Sequence, residues 1–328
     1  MTDVSRRTFF RRAIASGVAG AGVLTLGPKG PAFADADAVG TMIDLTRCDG
    51  CAGEQTPRCV SACRQKNQSR FPEPQKPIEN YWPQNKHEDW SDKRQVTNRL
   101  TPYNWTYVQK VTVQHEGKEQ DVYVPRRCMH CDNPPCADIC PFSAQTKKPE
   151  GPVVIDKDLC FGGAKCRDVC PWGIPARQAG VGLYMKVLPK YAGGGVMYKC
   201  DLCIDRIRRG ESPACVDACP NKAISFGKKS EMLAKAQERA RQIGGHIYGE
   251  KENGGTSTFY VSAVPFEAID RAMKEQAVDG KPGRPAMPVN AKNIMDSANG
   301  KVTGMMIAPV AGVIAAGVVA YRTMKGEE

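Results

Sequence analysis

The stretch CMHCDNPPCADICP, residues 128–141, places four cysteines in a C-x2-C-x4-C-x3-C-P pattern. In proteins with such motifs, the closely spaced cysteines hold one iron–sulfur cluster and the last cysteine reaches across to another. The short C-x2-C turn lets successive backbone N–H groups point at the sulfurs, and the Cys-Pro step ends the turn and starts a helix. The stretch therefore predicts a binding loop for iron–sulfur clusters.

The same pattern recurs along the chain, and all 15 cysteines fall into four such groups. The other groups are Cys48, Cys51, Cys59 and Cys63; Cys160, Cys166 and Cys170; and Cys200, Cys203, Cys215 and Cys219. An internal repeat of this kind predicts a duplicated bacterial-type two-cluster ferredoxin fold of the α+β class, with loop insertions. We therefore expect four clusters in two coupled pairs.

Disulfides and zinc are the two alternatives for these thiols. The odd cysteine count, the repeated spacing and the proline directly after Cys140, Cys170 and Cys219 argue against disulfides. Zinc sites commonly use two C-x2-C pairs and do not require C-x3-C-P endings. Iron–sulfur clusters are the interpretation that accounts for the whole pattern.

The third group, CFGGAKCRDVC at residues 160–170, has Gly163 where the second cysteine of the motif would stand. Three thiolates favour a 3Fe-4S cluster, and the neighbouring residues offer no ready carboxylate or imidazole. The alternative is a 4Fe-4S cluster whose open iron takes water or a distant side chain. A 3Fe-4S centre usually has a higher reduction potential than its 4Fe-4S neighbours, so we expect this site to be a relative electron sink.

The N-terminus predicts export. Ser5-Arg6-Arg7-Thr8-Phe9-Phe10 has the form of a twin-arginine signal, and a Gly/Ala-rich apolar stretch leads to Ala32-Phe33-Ala34, a small-x-small cleavage site. An ordinary secretory signal is the alternative. We expect residues 1–34 to be removed and the mature protein to lie on the periplasmic side of the inner membrane.

The C-terminus predicts a membrane anchor. Residues 302–321 form a stretch of 20 residues without a charge, just long enough to span a hydrocarbon core. A buried helix of a soluble domain is the alternative. With the N-terminal domain exported, residues 322–328 would form a cytoplasmic tail.

The net charge does not indicate nucleic-acid binding. The formal charge of +11 falls by four when the five basic residues and one acidic residue of residues 1–34 are removed, which leaves +7. Each oxidised cluster with its thiolates adds about two negative charges. The mature protein with its clusters is thus nearly neutral, and we exclude nucleic acid as a partner.

Between the termini, we assign residues 35–228 to the four-cluster domain and residues 229–300 to a C-terminal extension and linker. The insert at residues 64–127 contains alternating apolar residues on both sides of a His-Glu-Gly-Lys-Glu turn, which predicts a β-hairpin. We expect this insert to offer a docking surface. Residues 223–227 read as a short strand, residues 231–243 as a helix closed by two glycines, and residues 275–300 as a linker.

The chain resembles the four-cluster ferredoxin subunits of periplasm-facing respiratory oxidoreductases, above all the membrane-anchored iron–sulfur subunit of uptake nickel–iron hydrogenases. That resemblance is carried by CMHCDNPPCADICP at 128–141, YKCDLC at 198–203, HIYGEKENGGT at 246–256 and GMMIAP at 304–309. The chain is also similar to the β subunit of membrane-bound formate dehydrogenase, through LTPYNWT at 100–106 and ESPACVDACPNKAISFG at 211–227. Complexes that act on sulfur compounds use the same module, so the fold does not choose the substrate.

The resemblance implies four ligand sets, in which the first motif pairs with the fourth and the second with the third. Three 4Fe-4S clusters would be held by Cys48, Cys51, Cys59 and Cys219; by Cys200, Cys203, Cys215 and Cys63; and by Cys128, Cys131, Cys136 and Cys170. The remaining site would use Cys140, Cys160 and Cys166, with Gly163 at the missing ligand position. The first motif has seven residues between Cys51 and Cys59 where the family often has two, which lengthens a loop without removing a ligand.

The resemblance also implies a function without substrate chemistry of its own. Electrons would pass between a periplasmic catalytic subunit and an integral membrane cytochrome b or quinone-binding subunit. A formate dehydrogenase with molybdenum or tungsten, or a sulfur-compound oxidoreductase, is the alternative partner. A stand-alone enzyme is disfavoured, because the sequence has no Ser-His-Asp order, phosphate loop or nicotinamide fingerprint. We expect His130 to be a hydrogen-bond donor near a cluster or a surface residue rather than a ligand.

Overall fold

The computed structural model describes residues 38–82, 84–187, 189–191, 194–277 and 283–297. Ten strands lie within these residues: β1 Val39–Asp44, β2 Tyr107–His115, β3 Lys118–Arg126, β4 Gln145–Lys147, β5 Val153–Ile155, β6 Ala176–Gln178, β7 Val196–Tyr198, β8 Ile224–Lys228, β9 His246–Tyr248 and β10 Thr258–Ser262. The same residues contain eight α-helices: α1 Arg58–Asn67, α2 Pro135–Asp138, α3 Lys165–Asp168, α4 Tyr184–Val187, α5 Ile204–Ile207, α6 Ala214–Asp217, α7 Lys229–Ile243 and α8 Phe266–Glu275.

Four of the helices belong to the four cysteine motifs and repeat one local arrangement. Each of α1, α2, α3 and α6 has as its second residue the cysteine that stands at the third position of its motif. These cysteines are Cys59, Cys136, Cys166 and Cys215. Proline stands at or just before the start of three of these helices, where its fixed φ suits the first turn. Strand pairs β4–β5 and β6–β7 connect the second motif to the third and the third to the fourth. The repeat predicted from the cysteine spacing is therefore also a repeat of backbone structure.

The largest sheet joins the two ends of the described chain, in the strand order β8-β1-β10-β9. Strand β1 precedes the first motif, yet it pairs antiparallel with β8 and parallel with β10, with Thr41 opposite Thr258. Helix α7 packs on this sheet through a cluster that includes Met42, Ala236 and Phe259. The predicted strand and helix after the fourth motif are confirmed as β8 and α7, and α7 ends before Gly244. The sheet continues across the boundary that we placed at residue 228.

The predicted hairpin of the insert is confirmed as β2–β3, in register from Tyr107 opposite Arg126 to His115 opposite Lys118. Its apolar face carries Val111 and Val113, which are buried in the main core as alternation predicts. Helix α8 packs against β2, and Gln276 just after the helix donates to the Thr112 carbonyl at 2.6 Å. The hairpin is therefore part of the core of the protein.

The rest of the insert also packs inward. Tyr103 and Trp105 are buried, and the Glu88 carboxylate accepts from the guanidinium groups of Arg167 and Arg177. The exposed aromatic residue of this segment is Trp82, at 70% exposure. The part of the insert around Glu88 is thus tied to the third cysteine motif and to β6, and the docking surface that we expected of the insert stays a prediction.

The expected linker contributes to the core over residues 283–297. Met287 is fully buried, and the Arg126 guanidinium donates to the Pro285 and Ala286 carbonyls at 3.1 and 2.6 Å. The expected signal at 1–34, the anchor at 302–321 and the tail at 322–328 lie outside the described residues. Among the described helices, none is both long enough and apolar enough to cross a membrane.

Candidate metal centres

Site A is a small cavity between the first and fourth motifs. Four cysteines line it: Cys48, Cys51, Cys59 and Cys219. Pro57, Val108 and Ile224 complete the wall with apolar groups. Backbone N–H groups point at two of the sulfurs, from Arg58 to Cys51 Sγ at 3.4 Å and from Ala223 to Cys219 Sγ at 3.2 Å. Such donors stabilise thiolate charge, as an iron ligand requires.

Site B is a second small cavity, formed by the fourth motif and the end of the first. Its cysteines are Cys63, Cys200, Cys203 and Cys215. Trp105 and Arg127 also line it, so an aromatic ring from the insert and a cation from the second motif face the same space. The Leu202 N–H donates to Cys200 Sγ at 3.4 Å, and Asn67 Nδ2 lies 3.6 Å from Cys63 Sγ.

Site C combines the first three cysteines of the second motif with the last of the third: Cys128, Cys131, Cys136 and Cys170. Burial raises the pKa of Cys131, and the nearby Cys128 and Cys170 raise it further. The pKa of Cys136 is also raised, first by burial and then by Cys170, Cys128 and Cys131. The four thiols are therefore close enough to act on one another in an apolar environment.

Site D has three cysteines, Cys140, Cys160 and Cys166. Burial raises the pKa of Cys166, and Cys160 and Cys140 add to the rise. The Met197 N–H donates to Cys160 Sγ at 3.4 Å, as the corresponding donors do at sites A and B.

Gly163 lies on the exposed side of site D. A Cβ built on Gly163 would meet no atom within 4 Å, so the position that a fourth cysteine would occupy is open. The loop itself is held in place, because Arg177 Nη1 donates to the Gly162 carbonyl at 2.9 Å and Gly194 N–H donates to the Phe161 carbonyl at 2.9 Å. Phe161 stacks on Phe142 with ring centroids 4.5 Å apart.

The donor sets fit iron–sulfur clusters better than single metal ions. Within the described part of the chain, no three His, Cys, Asp or Glu side chains converge as one metal ion requires. Tetrahedral zinc would draw four sulfurs to about 2.3 Å from one centre. A cluster lies between its thiolates and keeps them farther apart, and at sites A and B the four cysteines line a common cavity that could hold such a group. The roles of these cysteines as iron ligands remain predictions.

The buried thiols hold protons until a metal displaces them. Burial raises the pKa of Cys48, Cys170, Cys200 and Cys203 to about 11. Since a metal-bound cysteine is a thiolate, cluster insertion must release these protons. Burying an unpaired thiolate costs free energy, and iron–sulfur bonds to a cluster would compensate that cost at each cysteine.

The four sites follow one another in the order A, B, C, D. Cys59 of site A is close enough to Cys215 of site B to have its pKa raised by it, after the effect of burial. In the same way Cys128 of site C acts on Cys200 of site B. Cys170 of site C acts on Cys166 of site D. The sites thus form a continuous series through the protein.

The two ends of the series lie nearest the surface. All four cysteines of site B are buried, as are three of site C, whereas sites A and D each contain half-buried cysteines. The half-buried cysteines are Cys48, Cys51 and Cys219 at site A, Cys140 and Cys166 at site D, and Cys170 at site C. The cysteines of sites A and D are therefore less completely buried than those of sites B and C.

Three buried polar side chains lie where sites B and C meet: Arg127, His130 and Lys199. They are 2%, 0% and 6% exposed. His130 Nδ1 accepts from the Val153 N–H at 3.0 Å, so the neutral ring carries its hydrogen on Nε2, which faces Cys200 Sγ at 3.7 Å. Burial, with Lys199 and Arg127 nearby, holds the pKa of His130 well below its usual range.

The prediction that His130 is a hydrogen-bond donor near a cluster, rather than a ligand, agrees with this geometry; it is not a surface residue. We did not predict the two buried cations. Each directly precedes the first cysteine of a motif, in Arg127-Cys128 and Lys199-Cys200, but this position alone does not indicate that the side chain is buried.

Two stretches of the chain match families described as 4Fe-4S dicluster domains, residues 47–144 and residues 120–229. The hydrogenase-2 operon protein HybA of Escherichia coli O157:H7 is 30% identical over 267 residues, 71% of this chain and 72% of HybA. The iron–sulfur subunit of the nitrate-inducible formate dehydrogenase of Escherichia coli K12 is 27% identical over 240 residues, 68% of this chain and 67% of that subunit.

A protein of Nitratidesulfovibrio vulgaris Hildenborough is 33% identical over 236 residues, 71% of this chain, and the chain spans 56% of that protein's length. Similarity to these proteins extends well beyond the cysteine motifs. The chain therefore belongs to the family of 4Fe-4S dicluster iron–sulfur proteins that includes the hydrogenase-2 operon protein HybA.

Proposed function

We propose that this protein is the electron-transfer subunit of a respiratory oxidoreductase complex and carries electrons through four iron–sulfur clusters. The observation that supports this proposal most strongly is the series of thiol sets A to D, buried in the middle and half-buried at both ends. Bound clusters supply one-electron transfer with little rearrangement. The chain holds them in order, excludes water from the inner pair and sets their electrostatic surroundings.

Site D is proposed to hold a 3Fe-4S cluster and sites A, B and C to hold 4Fe-4S clusters. Gly163 offers no side chain to a fourth iron, and it lies on the exposed side of the site. A higher potential at site D would make it the electron sink of the series, which suits delivery to a quinone.

Iron and acid-labile sulfide analysis of the anaerobically purified protein tests the cluster count. The proposal requires about 15 irons per chain, from three clusters of four and one of three. About 8 irons would mean that only one coupled pair of clusters forms, and the four-cluster relay would be wrong.

The catalytic partner is proposed to be a nickel–iron hydrogenase, with electrons leaving to a membrane cytochrome b or quinone-binding subunit. HybA, by name a protein of a hydrogenase operon, supports this choice. A molybdenum- or tungsten-containing formate dehydrogenase is the second candidate, supported by the formate dehydrogenase subunit at similar coverage. A sulfur-compound oxidoreductase is a further alternative.

Purification of the native complex by a tag on this chain, followed by metal analysis, separates these candidates. Nickel without molybdenum or tungsten is expected for the hydrogenase complex. Molybdenum or tungsten without nickel would transfer the proposal to the second candidate. A complex with none of the three metals would contradict both.

We further propose that the protein is exported by the twin-arginine route and anchored on the periplasmic side of the inner membrane by residues 302–321. Replacing Arg6 and Arg7 by lysine is expected to retain the protein in the cytoplasm, as fractionation and immunoblotting would show. Deletion of residues 302–328 is expected to release an exported protein from the membrane. Unchanged membrane association after that deletion would contradict the anchor.

A further inference from the structure

At the junction between sites B and C, each ferredoxin-like half of the protein places a positively charged side chain beside a cluster site of the other half. Arg127 belongs to the second motif, whose first three cysteines form site C, but its guanidinium lines site B. Lys199 directly precedes Cys200 of site B, and its ammonium lies near Cys128 and Cys136 of site C as well as near Cys200. Each half thus supplies a cation to the cluster site of the other.

In the region that the structure describes, Arg127 is held in place by one hydrogen bond, and the Nε and Nη1 side of its guanidinium has no ionic partner. Nη2 donates to Thr41 Oγ1 at 2.5 Å, whereas Nε and Nη1 have no partner within hydrogen-bond distance among the described residues, and the guanidinium faces the Cys200 thiol of site B. Unpartnered N–H groups at this depth are rare in proteins and cost free energy. A negatively charged cluster with its thiolates in site B would accept from both groups and compensate the buried charge.

Lys199 is held by neutral groups. Nζ donates to the Val153 carbonyl and, at 3.2 Å, to the Cys200 carbonyl. These contacts fix the ammonium at the junction without cancelling its charge. His130 lies in the same junction, with its neutral ring between the Val153 N–H and Cys200 Sγ.

We propose that Arg127 and Lys199 are positioning residues for electron transfer, which raise the reduction potentials of the clusters at sites B and C respectively. This inference rests on the proposed four-cluster function. Reduction adds a negative charge to a cluster, so a cation nearby stabilises the reduced state more than the oxidised state. Because both cations are buried, solvent and salt screen the effect little. The two cations thereby keep the clusters at sites B and C, between which electrons would pass from one half to the other, from having the lowest potentials of the series.

The test is a redox titration of the full-length, anaerobically purified protein, followed by electron paramagnetic resonance, in wild type and in Arg127→Gln and Lys199→Gln. Each variant is expected to lower one transition by at least tenfold in its reduction equilibrium, equivalent to about 59 mV for one electron. The two variants must shift different transitions, and the double variant must shift both. Arg208→Gln removes the same charge from a side chain that is 55% exposed, and it is expected to shift none.

Titrations unchanged from wild type in cluster-replete glutamine variants would overturn the inference, as would a shift of one common transition. Where a glutamine variant holds less iron than wild type, the neutral and apolar Arg127→Met and Lys199→Met replace it and must lower the same transitions. Arg127→Lys and Lys199→Arg keep the charge, so each is expected to hold its transition close to wild type, and a tenfold lowering in these variants would again overturn the inference. A wild-type protein without titratable clusters would instead contradict the proposed function itself.

Discussion

At the scale of single residues, the resemblance to four-cluster subunits implies which thiols meet, but not what surrounds them. The sets at sites A and B combine residues more than 150 positions apart, and the cysteine spacing alone left their pairing open. Arg127 and Lys199 could not be predicted in the same way. Charged residues are nearly always exposed, so a lone Arg or Lys before a cysteine carries no sequence signal of burial.

Gly163→Cys is expected to convert site D to a 4Fe-4S cluster. The backbone of Gly163 does not need a glycine conformation, and a Cβ there has open space, so a cysteine can be accommodated without strain. A 3Fe-4S centre is paramagnetic when oxidised, whereas an oxidised 4Fe-4S cluster gives no signal. We therefore expect about one spin per protein in the oxidised wild type and its loss in the variant, by electron paramagnetic resonance.

Serine at the same position is the matched control, because Gly163→Ser adds a similar side chain that binds iron poorly. It is expected to keep the wild-type signal. An oxidised wild type that is silent and contains about 16 irons would mean that another group completes the fourth site. The argument that site D is the electron sink would then be wrong.

At the scale of elements, local pattern predicted the hairpin β2–β3, strand β8 and helix α7, each of which has a clear period or cap signal. It missed β1, β9 and β10. These strands are three to six residues long, and β1 pairs with strands about 200 residues away, whereas β9 pairs with the neighbouring β10. A short strand of this kind is specified by its tertiary partners rather than by its own sequence. The same holds for the insert, whose inward packing depends on Glu88 and its two distant arginines.

Glu88→Gln is expected to loosen the insert from site D. Burial alone would raise the pKa of Glu88, but Arg167 and Arg177 hold it below its usual range. The stability that this carboxylate contributes is therefore present above pH 4.5 and is lost as the pH falls through its lowered pKa. Removing the charge leaves two largely buried arginines without an ionic partner, at a cost of about 3 kcal/mol. Denaturant unfolding at pH 7, with the site D signal as probe, measures the loss.

Glu73→Gln is the control for this prediction, since Glu73 lies in the same insert and pairs with Arg94 but is 74% exposed. It is expected to cost less than about 1 kcal/mol. Equal effects of the two substitutions would show that the Glu88 contacts do not hold the insert in place.

Gly249 follows β9 and lies against the second motif, so Gly249→Ala is expected to disturb site C. A Cβ at Gly249 would lie 2.2 Å from the Thr258 carbonyl oxygen and 3.2 Å from Met129 Cε, next to Cys128. With a φ of 101°, the residue also requires glycine, so we expect a loss of about 3 kcal/mol and reduced iron at site C. Iron analysis and thermal unfolding would detect both effects.

Gly254→Ala provides the comparison, because Gly254 also has a positive φ, of 77°, but a Cβ there meets nothing within 4 Å. Only the backbone strain remains, about 1 kcal/mol, and full iron content is expected. Loss of iron in this variant too would show that backbone strain, rather than contact with the second motif, explains the effect of Gly249→Ala.

At the scale of the whole molecule, the sequence predicted a duplicated ferredoxin fold, and the boundary that we placed at residue 228 falls at the end of β8, in a sheet that also contains later strands. Strands on both sides of residue 228 share one sheet, and the segment after the last motif hydrogen bonds to the second motif, from Asp132 N–H to the Gly255 carbonyl at 3.0 Å. For residues 275–300, composition indicated a linker, because glycine, proline and lysine are common in linkers. It could not show that Met287 and its neighbours would pack against the core.

The burial of the sites predicts the order in which clusters are lost. Under mild oxidation with a chelator, the clusters at sites A and D are expected to disappear before those at sites B and C, because only the outer sites have several half-buried cysteines. Time-resolved iron analysis with Mössbauer spectroscopy would follow the four clusters. Simultaneous loss of all four would indicate that the protein opens as a unit before any cluster is attacked.

The pairing of β1 with β8 and β10 also determines when the protein can be completed during synthesis. The cysteines of sites C and D lie within residues 128–170, so a nascent chain can gather them from one continuous segment. Sites A and B must wait for Cys200 to Cys219, and the sheet that closes over the first motif must wait for β10 at Thr258–Ser262. The first motif is therefore translated first but completed last, and we expect its thiols to remain without their site partners until Cys219 and then β10 have been synthesised.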